Sequence, residues 1–305
     1  MTAIWVANDI YKNGTFSQSK GEALCTILCM AFVKKYYPEW KRILFVDSFT
    51  KPIYESLGVL SLVDEVNDTL LDEPIAINTD IFWAGGKIRA QRAVQGPVVL
   101  FDLDVRFQAD LRQIGLFDKD IACMWLEDTS RKYFSPEYAL QDTGLTYDFE
   151  WDDRALNVSL LYFKDEDFKN LYCDTSLEYM VTASQNLTGS YTQEEKNAYI
   201  MFTEQYMLNQ LAKKYNKEVK LAVEGYSIDI YTTPPAMPEY ISGIGVNHWS
   251  ASPYILHYGT FKDHFKQKIG INYGEINLMS ELLNENITDE LFIEVFNNVK
   301  DNYDN

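Results

Sequence analysis

Gly96-Pro97-Val98-Val99-Leu100-Phe101-Asp102-Leu103-Asp104 is the stretch on which the fold turns. Gly-Pro breaks the chain before it, and the run PVVLF is apolar at successive positions, as in a strand covered on both faces of a largely parallel sheet. The strand then gives way to two carboxylates one residue apart. In an open α/β sheet, ligands bind just beyond the carboxyl ends of the strands. Asp102 and Asp104 therefore stand where chemistry is expected.

Upstream, short apolar runs alternate with helical patterns. Ala3–Ala7 reads as a first strand. Ser19-Lys20-Gly21-Glu22 is a capping box leading into a helix with Leu24, Ile27, Leu28, Ala31 and Phe32 on one face, stopped by Pro38. Arg42–Asp47 is a second buried strand ending in a carboxylate, Lys51–Leu57 a short helix closed by Gly58, and Val63–Val66 a third strand. Thr79 or Asp80 caps a helix running to about Gln95. Downstream, Ile121–Leu126 and Ala155–Phe163 read as strands, Glu194–Tyr215 as a long helix, and Val219–Val223 and Tyr254–Tyr258 as late strands. Tyr226–Ser252, rich in Thr, Pro, Gly and Ser, is expected to be irregular. From Ile287 one helical pattern leads into a frayed Asp/Asn-rich end. The sum is an α/β chain with a central, mostly parallel mixed sheet flanked by helices.

No internal repeat or linker divides the 305 residues, so a single domain is expected. Its halves fall at about 1–110 and 111–270, followed by a helical tail over 271–305. The longest apolar run, Ala23–Val33, is shorter than the roughly 18 residues a membrane helix needs, and the N-terminus lacks the features of a signal peptide. The expectation is a cytoplasmic protein. The four cysteines lack zinc spacing and read as buried thiols. A formal charge of −18 makes nucleic acid a poor partner, because polyanion binding needs Lys and Arg against phosphates. One diphosphate is still within reach if a divalent cation supplies local positive charge.

Paired carboxylates are hard oxygen ligands suited to Mn²⁺ or Mg²⁺. Taken alone, a pair one residue apart is a weak signal and reads first as solvated turn residues. Other elements agree with the metal reading, in order. Phe82–Phe107 (FWAGGKIRAQRAVQGPVVLFDLDVRF) resembles the helix, strand and Asp-x-Asp passage of GT-A glycosyltransferases, particularly the glycogenin-like and capsular-polysaccharide families. Asn157-Val158-Ser159 is similar to their Asn-x-Gly element, Glu204–Asn209 to their Asp-Gln-x-x-Leu-Asn motif, and His257–Lys262 to their His-x-x-Gly-x-x-Lys motif. Ser159, Glu204 and a His-to-Gly spacing shorter by one residue depart from the pattern.

The resemblance implies a GT-A-like fold and transfer of a hexose from a nucleotide diphosphate sugar, UDP-linked, to a hydroxyl acceptor, with retention at the anomeric carbon. Saccharide, lipid-linked intermediate and protein are all open as acceptors. It implies Asp102, Asp104 and His257 as metal ligands, with Leu103 between the aspartates in the donor site. Lys262, beside Gly259, falls against the diphosphate. Lys87, on the helix it shares with Arg89 and Arg92, faces the donor. Asn157, Glu204 and Gln205 hold the donor sugar, the latter two as catalytic residues. Ala7, Asn8 and Asp47 lie at strand ends suited to base and ribose. Two rivals stand beside this reading: a haloacid-dehalogenase-like phosphatase using Asp102 and Asp104, for which Asp152-Asp153 is the available distal acidic pair, and a protein that binds a nucleotide sugar or glycan without turnover.

Overall fold

The computed structural model describes residues 1–8, 20–103, 105–107, 110–128, 135–150, 154–222, 247–248 and 273–303. The elements in chain order are β1 (Thr2–Ala7), α1 (Lys20–Tyr36), β2 (Lys41–Val46), α2 (Thr50–Ser56), β3 (Glu65–Asn67), α3 (Gly85–Ala93), β4 (Val98–Phe101), β5 (Val105–Arg106), β6 (Ile121–Cys123), β7 (Leu126–Asp128), α4 (Pro136–Leu140), β8 (Arg154–Leu156), β9 (Leu160–Phe163), α5 (Glu166–Asn186), α6 (Gln193–Met201), α7 (Met207–Lys214), β10 (Val219–Leu221), β11 (Asn247–His248), α8 (Tyr273–Asn286) and α9 (Glu290–Asn302).

Seven strands form the main sheet in the order β10-β6-β9-β4-β1-β2-β3. All neighbours are parallel except β9, which runs antiparallel to both β4 and β6. The expected mixed, mostly parallel sheet is therefore present. Strand alternation sends its side chains into two cores. Ala3, Trp5, Leu44, Val46, Val99 and Phe101 face one layer with α1, α8 and α9. Ile4, Val6, Ile43, Phe45, Val98 and Leu100 face the other, with α3, α5 and α7. Trp5 and Phe101 stack at 5.7 Å, and truncating such a buried ring to alanine costs about 3–5 kcal/mol. Among the described residues, no helix is long and apolar enough to cross a membrane.

Several expected elements are redrawn. α3 starts at Gly85 rather than near Asp80, and ends at Ala93. Asn78 Oδ1 accepts from the Asp80 amide instead, closing a separate turn. A Cβ on Gly86 would lie 2.7 Å from Asn8 Nδ2, so glycine lets this helix approach the end of β1. The runs 121–126 and 155–163 each split into two strands, because β7 and β8 leave the main sheet to pair with one another. The 21-residue α5 has no counterpart in the sequence expectations. Its buried face includes Lys169 and Ser176 among Tyr172, Cys173, Met180 and Ala183, and these polar positions interrupt the apolar stripe that would have announced it. Of the end expected to fray, residues 300–303 are ordered: α9 runs to Asn302 and Tyr303 is buried in the α1 layer, while residues 304–305 lie outside the described residues. All four cysteines are free and buried. The strand expected at 254–258 and residue Asp104 lie outside the described residues, as does all of 226–252 except β11.

Candidate active site

From β1 the chain builds outward through β2 and β3, then crosses to the other side of β1 with β4. Between these two parallel strands the order reverses, which is where open sheets place a ligand crevice. Asn8 follows β1 on one side of it and Asp102 follows β4 on the other.

α3 brings an ammonium group to this crevice. Lys87 lies in its first turn, with Nζ 2.6 Å from Asp102 Oδ1 and 3.4 Å from Glu204 Oε1. The Trp83 ring lies 5.9 Å from the same nitrogen, close enough for a cation–π attraction. The Lys87 and Asp102 side chains are 16% and 17% exposed, and that of Glu204 only 3%. Burial pushes the Glu204 carboxyl above its usual range; Lys87 opposes the shift and Asp102 adds to it. Arg89 turns elsewhere, toward the Leu71 carbonyl, and Arg92 pairs with Asp174. Of the three basic residues on this helix, Lys87 is the one brought to Asp102.

The backbone around Asp102 is held from two sides. Its amide donates to the Ser159 carbonyl at 2.7 Å, and the buried Thr26 hydroxyl of α1 donates to the Leu103 carbonyl at 2.6 Å. Ser159 lies at the break between β8 and β9 with Asn157, so the second motif is carried to the carboxyl edge beside the first. Asn157 Nδ2 donates to Glu127 Oε1 at 2.8 Å, and its Oδ1 accepts from the Ser159 hydroxyl at 2.6 Å. The serine that departs from the Asn-x-Gly pattern thus adds a hydrogen bond. Glu127 also accepts from Trp125 Nε1 at 2.9 Å and is buried. Sequence reasoning passed over Glu127. The available signal was an indole two residues away on the same strand face, able to partner a buried carboxylate.

Glu204 and Gln205 sit in a π-helical turn, Phe202–Tyr206, between α6 and α7. Both are buried, and Gln205 Oε1 has no hydrogen-bond partner among the described residues. Such turns interrupt α-helices most often at functional positions. Asp47, at the end of β2, accepts through Oδ1 from the Thr50 and Phe49 amides at 2.7 and 3.2 Å, starting α2. Ala7 is buried and its carbonyl accepts from the Asp47 amide, while Asn8 Nδ2 donates to the Trp83 carbonyl at 3.4 Å.

The structure therefore joins Lys87, Asp102 and Glu204 directly, and links Asn157 to Asp102 through Ser159. Asp104, His257, Gly259 and Lys262 lie outside the described residues, as do Asp152 and Asp153. β11 pairs antiparallel with β5, so the chain shortly before His257 returns to the strand that follows Asp104. Among the described residues, no group of three or more His, Cys, Asp or Glu side chains is arranged to hold a metal ion. Asp102 is nonetheless a hard oxygen donor of the kind a divalent cation takes, and the ammonium beside it is shared with Glu204.

Fold and site together define an α/β protein with a charged cluster at the sheet's switch point. No family model matches the chain, and no curated protein does. Among solved structures it is similar to the galactosyltransferase LgtC in complex with donor and acceptor sugar analogs, at 13% identity over 82% of this chain and 87% of that one, with a TM-score of 0.39. It is also similar to mouse xyloside xylosyltransferase 1, at 8% identity over 72% and 84% of the two chains and a TM-score of 0.38. A nucleoside-diphosphate-sugar pyrophosphorylase from Vibrio cholerae matches at 13% identity over 73% and 91%, with a TM-score of 0.37. Function is therefore read from the site.

Proposed function

We propose that the chain is a metal-dependent glycosyltransferase of the GT-A type, moving a hexose from a nucleotide diphosphate sugar, UDP-linked, to a hydroxyl acceptor with retention. The observation that carries this reading is the convergence of Lys87, Asp102 and Glu204. Lys87 and Asp102 come from the Phe82–Phe107 passage and Glu204 from the separate Glu204–Asn209 motif, and the ammonium lies 2.6 and 3.4 Å from the two carboxylates.

Asp102, with Asp104 and His257, would hold Mn²⁺ or Mg²⁺. When bound, the cation supplies positive charge against the diphosphate and the leaving nucleotide. Lys87 contributes a point charge to the same group, with Lys262 as a second. Glu204, whose carboxyl is pushed above its usual range by burial, and Gln205, whose buried Oε1 has no partner among the described residues and so is open to a sugar hydroxyl, orient the donor sugar. Asn157 acts through position: its amide is engaged by Glu127 and Ser159, which fixes the edge against which Asp102 is bonded. Asn8 and Ala7 line the β1 side for the nucleoside.

Calorimetry of UDP binding with Mn²⁺ and with EDTA tests the proposal. Tight binding with metal and its loss on chelation are expected, together with hydrolysis or transfer of a UDP-hexose. Equal affinity in both conditions removes Asp102 from metal binding and the glycosyltransferase reading with it.

A further inference from the structure

The turn that carries Glu204 and Gln205 is not held by its own helix. In Phe202–Tyr206 the backbone widens, and the Met207 amide bonds to the Phe202 carbonyl five residues back. A π turn inserts one residue into the α ladder, and carbonyls beside the insertion lose their ordinary amide partners. Side-chain hydroxyls bond to carbonyls in the turn and just before it. Thr203 Oγ1 donates to the Tyr199 carbonyl at 2.7 Å, Ser176 Oγ to the Thr203 carbonyl at 3.1 Å, and Tyr172 Oη to the Glu204 carbonyl at 2.8 Å.

Tyr172, Ser176 and Thr203 are fully buried, so water has no access to replace these bonds. Tyr172 and Ser176 lie one turn apart on α5 and therefore share a face. On that same face the buried Lys169 donates through Nζ to the Val94 carbonyl at the end of α3, the helix whose first turn carries Lys87. One face of α5 thus bonds to the backbone of Glu204 and to the far end of the helix that carries Lys87.

We propose that Tyr172 and Ser176 are positioning residues that hold the π turn open, and so aim the Glu204 carboxylate at Lys87 and Asp102. Without their hydroxyls the segment winds toward ordinary α-helix. Taken up in ordinary α winding, the extra residue of the turn shifts the helical phase by about 100°, which turns Glu204 and Gln205 away from the cluster. The catalytic consequence rests on the glycosyltransferase reading; the holding of the turn does not.

The test uses the full chain with Tyr172→Phe and, as the smaller change, Ser176→Ala, which serves if the first variant does not fold. Three quantities are measured: amide hydrogen exchange across residues 198–210, turnover of a UDP-hexose, and affinity for UDP with Mn²⁺. The expected result is faster exchange confined to the turn and kcat lower by about 10- to 100-fold, with UDP affinity within about twofold of wild type. Wild-type kcat in both variants overturns the proposal, whether or not thermal stability falls, since a merely structural role moves stability alone. Unchanged exchange in both overturns it as well. If wild-type protein turns over no nucleotide sugar while exchange in the turn still rises in the variants, the holding role stands and the glycosyltransferase reading falls.

Discussion

Asp47 and Asp102 look alike in sequence and do opposite things in the structure. Each follows an apolar strand, RILFV before one and VVLF before the other, and each lies at the carboxyl edge of the sheet. Asp47 is fully buried, and its Oδ1 accepts from two backbone amides that open α2. Asp102 meets an ammonium delivered by α3 and lies near a second carboxylate from the π turn. The difference comes from position. β2 is one strand removed from the reversal between β1 and β4, whereas β4 borders it. A strand-end carboxylate becomes chemically available only where neighbouring helices leave room between them.

The strongest way to break this contrast is Asp102→Asn. Turnover of a nucleotide sugar should fall about 10²- to 10³-fold, as when one group is removed from a preorganised electrostatic site. Stability should move by no more than about 1 kcal/mol, because Lys87 keeps Glu204 beside it. Steady-state kinetics and urea unfolding check the two halves. An active Asp102→Asn variant would place Asp102 with Asp47 among structural residues.

Asp47→Ala should show the reverse pattern. Losing the acceptor that opens α2 should cost about 1–2 kcal/mol of stability, measured by urea unfolding, while affinity for UDP with Mn²⁺ stays within about twofold. A large loss of affinity would return Asp47 to the nucleotide site.

Glu204→Gln sharpens the account of the cluster through pH. The folded state raises the Glu204 carboxyl, chiefly by burial, so wild-type stability declines as pH rises above the ordinary carboxyl value of about 4.3 through the raised folded value. Gln205's neighbour would no longer titrate in the variant. Its stability relative to wild type should therefore improve across that window, by at most about 1.4 kcal/mol per pH unit for one proton. A flat difference in unfolding free energy from acid to neutral pH would mean that Glu204 is not held in its raised state.

The smallest effect is expected at Asp64, a third aspartate beside the sheet. Arg42 forms a two-pronged contact with it and holds its carboxyl below the usual range. The stabilisation is present above the ordinary carboxyl range and fades as pH falls through the lowered folded value. With the Asp64 side chain 42% exposed, Asp64→Asn should cost less than about 1 kcal/mol at neutral pH, with the difference shrinking in acid, by urea unfolding at both pH values.

Much of this was legible along the chain, for identifiable reasons. Apolar runs at 3–7, 42–46 and 98–101 could be read as buried strands because covering both faces of a strand demands successive apolar residues. Asp102, Asn157 and Glu204 could be singled out because motif order along the chain is a one-dimensional property. The break at Asn157–Ser159 was harder to see, since leaving one sheet for another changes hydrogen-bond partners without changing side-chain polarity. α5 was hidden for a related reason: Lys169, Tyr172 and Ser176 are polar, and their burial makes sense only once the carbonyls they serve are in place.

The sequence by itself determined the buried strands at 3–7, 42–46 and 98–101, which strand ends carry carboxylates, and which short motifs recur in order. Tertiary structure decided which carboxylate meets the ammonium, which of three basic residues on one helix faces it, and that the helix bearing Glu204 opens into a π turn. The physical reason is that backbone hydrogen bonding and hydrophobic periodicity act over a few residues, whereas Lys87 and Glu204 come within 3.4 Å only after the whole sheet has ordered the helices around its switch point.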